Sequence, residues 1–270
     1  MTKVAIIGNS HVAALKAAWD ATPLPGLDMT FFAAPQRNFR QFALQPNRVY
    51  GLPAPQRGRH AEIVQKLNGA LQIDLSGVDQ VVLSAFGWNP GAIAQLIATC
   101  DIDGLRLTGA PTLLSRDLFD AICAALARAL RPGPEWRHWP GAAPIFLAQA
   151  ATCETCLGSS NADFASWQRL AAAPDGALAA FDIFFDHLRA DLAGVGITLL
   201  RQPPQSLRPS GLTEARFLAT GGGVVPGQEH LRGDHAHMNA AYGTLCLTAL
   251  HDLIRRGPSP APIPQSDTEV

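Results

Sequence analysis

Two short clusters at opposite ends of the chain carry residue types suited to acyl chemistry. Near the amino end Gly8-Asn9-Ser10-His11 closes an apolar run, and near the carboxyl end stands Gly233-Asp234-His235-Ala236-His237. A serine hydroxyl is a poor nucleophile until an adjacent base takes its proton, and a carboxylate can hold that base in the required tautomer. Asp234 and His237 are three apart where a helix is expected to begin, so their side chains can share one face and converge on one cleft. Ser10, at an expected strand-to-helix turn, would lie beside outward-pointing backbone N–H groups that favour negative charge. Each cluster also has a plainer reading. Ser10 and Asp234 can both serve as helix N-caps, with His237 a packed or solvated imidazole.

The scaffold that would position these groups is legible from periodicity. Val4-Ala5-Ile6-Ile7 is an unbroken apolar run, suited to a strand covered on both faces, and the helical spacing Val12, Leu15, Trp19 follows at once. Further strands are expected at Met29 to Phe32, Gln80 to Ala85, Pro144 to Ala148 and Ile197 to Leu200, with the stretch from Ala33 to Tyr50 irregular. Between them lie helical stretches near Ala92 to Thr99, Phe164 to Ala172 and Leu178 to Leu192, and one from an N-cap at Ser115 to about Leu130. That helix offers Leu118, Ile122, Ala125 and Leu126 for packing. The last helix, from close to Ala236 to about Ile254, offers Leu245, Thr248, Leu250 and Leu253. Strands alternating with helices predict a three-layer α/β/α fold around a mostly parallel, flavodoxin-like sheet of five strands. One domain over residues 1–256 is expected, then a solvated tail from 257 to 270 that contains Pro258, Pro260, Pro262 and Pro264. In such a sheet ligands bind beyond the carboxyl ends of the strands, where the loops beginning at Gly8, Gly87 and Gln149 should meet.

With the loop Gly87-Trp88-Asn89, which follows the third strand, the two clusters resemble the SGNH (GDSL-type) hydrolase superfamily. That pattern places a Ser just after the first strand, Gly-x-Asn after a middle strand, and Asp-x-x-His at the opening of the final helix. Carried over position by position, the resemblance implies Ser10 as nucleophile, His237 as base and Asp234 as the residue that holds the imidazole tautomer. It implies the Ser10 N–H, Asn89 and Gly87 as the oxyanion site, where one donor can matter by roughly 10²–10³ in turnover. Asn9, His11, Trp88 and Arg37 are the candidate substrate-binding residues. The implied activity is hydrolysis of an ester, or transfer of its acyl group to a saccharide or similar acceptor, through a seryl intermediate and without a cofactor. Two departures from the family pattern stand out: Asn9 replaces the usual Asp, and Phe32 to Asn38 lacks the Gly that supplies a further oxyanion donor. They motivate a competing reading, a ligand-binding protein of the same fold with little turnover.

Other signals point elsewhere only weakly. Cys153-Glu154-Thr155-Cys156 is a C-x-x-C without a second pair, so a zinc site would lack half its ligands. His230, His235 and His237 with Asp234 could form a metal cluster, but His235 and His237 flank one residue and would diverge on a helix. Gly221-Gly222-Gly223 has no phosphate-loop or dinucleotide context. Arg37, Arg40 and Arg48 could meet an anionic substrate or be simply solvated.

The 270 residues are 47% apolar, ample for a core, and Lys plus Arg numbers 21 against 22 for Asp plus Glu. A net charge of -1 offers no global field to attract nucleic acid or an acidic membrane. Mean hydropathy is +0.09, and no apolar run reaches the length of a membrane span. The early start of the first strand and a sparse, odd set of 5 Cys lead us to expect reduced thiols and a cytoplasmic protein, and the family resemblance implies a small-molecule or saccharide ester as its partner.

Overall fold

The computed structural model describes residues 1–35, 41–53, 58–86, 90–105, 107–137, 139–172, 174–220 and 233–257. Arg37, Gly87, Trp88, Asn89, the triple glycine, His230 and the tail beyond Gly257 lie outside the described residues. The central sheet consists of β1 (Thr2–Gly8), β2 (Leu27–Ala33), β3 (Gln80–Ser84), β4 (Ile145–Leu147) and β5 (Thr198–Leu200). All four pairings are parallel, and the spatial order is β2-β1-β3-β4-β5. Their carboxyl ends are flush, since Gly8 pairs with Ala33 and Ser84, Ser84 with Leu147, and Leu147 with Leu200.

The helices are α1 (Val12–Ala21), α2 (Arg59–Asn68), α3 (Gly91–Thr99), α4 (Arg116–Leu130), α5 (Ala165–Ala172), α6 (Pro174–Ala193) and α7 (Ala240–Arg256). Alternation along β1 sorts them into two layers. Val4 and Ile6 are buried with Val12 and Leu15 of α1 and Tyr242, Leu247 and Leu250 of α7. Ala5 and Ile7 are buried with Val64, Ile93, Phe119, Leu170 and Phe184, which come from α2 to α6. The fold is therefore three-layer α/β/α, as the run of β-branched residues without polar alternation foretold.

The structure differs from the sequence reading in four places. The stretch after β2 is not wholly irregular, because Ala43–Leu44, Val49–Gly51 and Gln72–Asp74 form a small antiparallel sheet. Asp101–Ile102 pairs with Leu113–Leu114. Helix α4 has the expected Ser115 cap, whose hydroxyl accepts the Leu118 N–H at 3.2 Å. It buries Phe119, Cys123 and Ala127, while Leu118 is 49% exposed. The i, i+4 row one residue along from Leu118 makes the deepest core contact, and the expected Leu126 packs partly buried beside it. Finally, α7 begins at Ala240 and not at Ala236. Its N-cap is Asn239, whose side chain accepts the Tyr242 N–H at 3.2 Å, and Tyr242, Cys246, Leu247 and Leu250 are its buried side chains.

Two glycines permit the close approaches that bring the chain ends together. A side chain at Gly8 would collide with the Ser84 carbonyl and with Val12, and one at Gly243 would collide with the Ala14 carbonyl. Helix α7 thus lies directly against α1. Among the described residues no helix is long and apolar enough to cross a membrane.

Candidate active site

Ser10 lies in the turn between β1 and α1, at the carboxyl edge of the sheet. The order reverses there: α1 covers one face and α3, which follows the neighbouring β3, covers the other. The connections diverge and leave a crevice. The Ser10 hydroxyl does not cap α1. His11 holds the cap position and makes no side-chain capping bond, and the Ser10 Oγ lies 2.6 Å from His237 Nε2. Among the described residues no group accepts the Ser10 backbone N–H.

Asn9 fastens this turn to the next strand. Its Oδ1 accepts the His11 N–H at 3.0 Å and its Nδ2 donates to the Ala85 carbonyl at 3.2 Å. With 3% of its surface exposed and its amide engaged on both sides, Asn9, expected as a substrate contact, is placed as a strut of the loop. Ala85 has φ of +52°, a left-handed conformation that costs a non-glycine residue about 1–3 kcal/mol and gathers at functional sites. Its N–H donates to the Leu147 carbonyl at 2.9 Å. The strain is held by bonds from two sides, immediately before the loop expected to supply oxyanion donors.

The second cluster precedes α7 as a turn. Gly233, with φ of +88°, lets the chain enter it where a side chain would be strained. Asp234 Oδ1 accepts the N–H groups of Ala236 at 2.9 Å and His237 at 3.2 Å, an Asx-type turn. Its other oxygen, Oδ2, lies 2.6 Å from His237 Nδ1. Asp234 is consequently not the cap of the last helix. That role belongs to Asn239, which also donates to the carbonyls of Arg216 and Leu218 at 2.7 and 3.2 Å. The His237 carbonyl accepts the Ala219 N–H at 3.0 Å. Bonds on both sides therefore fix the His237 backbone, from which the ring reaches Asp234 and Ser10.

His235 points away from this line. Its Nδ1 is 2.8 Å from the Thr155 hydroxyl, its ring meets Phe164 edge-on, and its carbonyl accepts the Cys153 N–H at 2.7 Å. The C-x-x-C segment anchors the turn by this bond. Cys153 and Cys156 are both buried and free, and burial pushes the Cys156 thiol up to about 12, so it is protonated and unreactive near neutrality.

Burial alone would raise the Asp234 carboxyl, but the bonds it accepts from the His237 ring and from the Ala236 and His237 N–H groups outweigh this and hold it well below the usual carboxylate range. An anion thus faces Nδ1, which fixes the proton there and leaves Nε2 as the acceptor for the Ser10 hydroxyl. His11, an expected substrate contact, stacks on His237 with ring centroids 4.8 Å apart and planes 14° from parallel. Burial, with the neighbouring His237 ring, depresses the His11 imidazole to about 3 against a raising effect of Asp234.

The structure brings Ser10, His237 and Asp234 into one hydrogen-bonded line. Sequence reasoning missed the Asn239 cap, the strained Ala85 and the stacked imidazoles. An Asn two residues after a His, just ahead of an apolar periodic run, was a signal for the first. The other two had none, since both depend on contacts between segments distant in sequence. Comparison with protein-family models, with curated proteins and with solved structures gives no match for this chain.

Proposed function

We propose that this protein is a serine-dependent hydrolase of ester bonds, of the SGNH type that its motifs resemble. The observation that supports this best is the continuous relay from the Ser10 hydroxyl through both nitrogens of His237 to Asp234, with both contacts at 2.6 Å. As Ser10 attacks an acyl carbon, its proton passes to His237 Nε2, and Asp234 stabilises the imidazolium that forms. The carbonyl oxygen takes up negative charge within reach of the Ser10 N–H, with Asn89 and Gly87 proposed as its further donors. The C–O bond to the leaving group breaks, and His237 returns the proton to the departing alkoxide. Water, activated by the same imidazole, then releases the acid from Ser10.

The test is labelling with a fluorophosphonate, followed by turnover of short acyl esters. Wild type and His235→Ala are expected to label and turn over, Ser10→Ala to do neither, and His237→Ala to lose turnover by about 10³-fold or more. Folded wild-type protein that shows no Ser10-dependent labelling would overturn the enzyme reading and favour the ligand-binding one.

A further inference from the structure

The position after the candidate nucleophile holds a histidine that the relay does not use. Its backbone N–H is tied to Asn9, and the residue lines a small cleft with Ser84, Gln149, Met238 and Tyr242. Among the described residues none hydrogen-bonds to its ring nitrogens, so its defined contact is the face of His237. We propose that His11 is a positioning residue for His237: its stacked ring holds the imidazole toward Ser10 and stabilises the protonated form that arises during turnover. The catalytic part of this inference rests on the esterase reading.

Two parallel imidazoles this close cannot both carry a proton without repulsion. Among the described residues, the following groups face them. From the turn before α7, His237 and Asp234 face His11, and Asp234 contacts the ring of His237 directly. On α7, which packs against α1, the titratable groups of the first two turns are Tyr242 and Cys246. Burial raises both, Cys246 to about 12, and they stay uncharged. Ser84 and Gln149, at the ends of β3 and β4, carry no charge. His11 therefore remains neutral, and the ring it stacks on is the one that meets the Asp234 carboxylate. A neutral aromatic face beside a cation is attractive, and the flat contact also resists rotation of the His237 ring.

The experiment compares His11→Leu, which keeps bulk but removes the π face, with His11→Phe, which keeps a ring. It follows the His237 Cε1 resonance through a pH titration and records kcat and KM with a short acyl ester. In His11→Leu the His237 midpoint is expected to move down relative to wild type and kcat to fall by about tenfold, with KM little changed; His11→Phe should return both close to wild type. Should His11→Leu fail to fold, His11→Met supplies the non-aromatic arm. An unchanged midpoint in the non-aromatic variant, or a His11→Phe protein that behaves like it, overturns the proposal. The His237 midpoint is read without substrate. A failed esterase reading would leave the shift intact, whereas a failed stacking proposal would leave labelling of Ser10 intact.

Discussion

Replacing Gly243 with Ala tests whether two remote segments are held in register by helix packing. Gly243 lies one turn into α7, and a Cβ there would meet the Ala14 carbonyl of α1 at an impossible separation, with Ala18 Cβ at 2.9 Å. The obstacle is backbone, so it cannot rotate away, and the helices must part by on the order of 1 Å. His237 precedes α7 by a short capped turn and Ser10 precedes α1 directly, so most of that displacement falls on the 2.6 Å bond between them. Adding about 1 Å gives about 3.6 Å, beyond hydrogen-bond range. A misplacement of that size costs about 10²-fold in rate, and overpacking costs about 1–3 kcal/mol, or roughly 2–12 °C in Tm for a domain of this size. The assay is the rate of fluorophosphonate labelling beside a thermal melt, with Gly77→Ala as control because nothing lies within 4 Å of its added carbon. Wild-type labelling and Tm in Gly243→Ala would refute the argument that this approach sets the Ser10–His237 distance.

Two further perturbations follow from the same geometry. In Asp234→Asn the side-chain oxygen can still accept the Ala236 and His237 N–H groups, so the turn should persist, but an amide facing Nδ1 imposes the wrong tautomer. A loss of kcat of about 10⁴-fold is expected, beside a fall in Tm because the ionised carboxyl that the fold favours is gone, and loss of kcat below tenfold would show that the carboxylate does not orient His237. Stability should also depend on pH through His11. Its folded value, about 3 against an ordinary 6.5, means that the unfolded chain binds the extra proton between those values. Stability is thus full above about 6.5 and falls on acidification toward 3, by at most about 1.4 kcal/mol per pH unit. Asp234 is depressed and adds its own loss only at lower pH, below the ordinary carboxylate range. Urea midpoints between pH 7 and pH 4.5 should decline more steeply in wild type than in His11→Phe; equal slopes would exclude His11 as the source.

Much of the architecture was legible because it is written in local periodicity. The unbroken run Val4 to Ile7 announced a strand covered on both faces, and Val4 and Ile6 do pack in one layer while Ala5 and Ile7 pack in the other. Ser115 announced its helix by a capping chemistry that operates over three residues. The start of α7 was misread because Asp234 and Asn239 are both good caps, and local preference does not choose between them. Asp234 instead closes a turn and meets His237, and Asn239, tied to the carbonyls of Arg216 and Leu218, takes the helix.

The sequence by itself determined which groups could do chemistry: a serine after the first strand, and an aspartate and a histidine at a spacing that lets them bond. Only the tertiary structure decided that these groups meet, because their meeting depends on α7 lying against α1 at a glycine and on a turn tied down by Cys153 and Ala219. It also decided that Asn9 serves the loop and that His11 lies flat on His237. Such contacts join residues far apart in sequence, and no local preference encodes the distance between them.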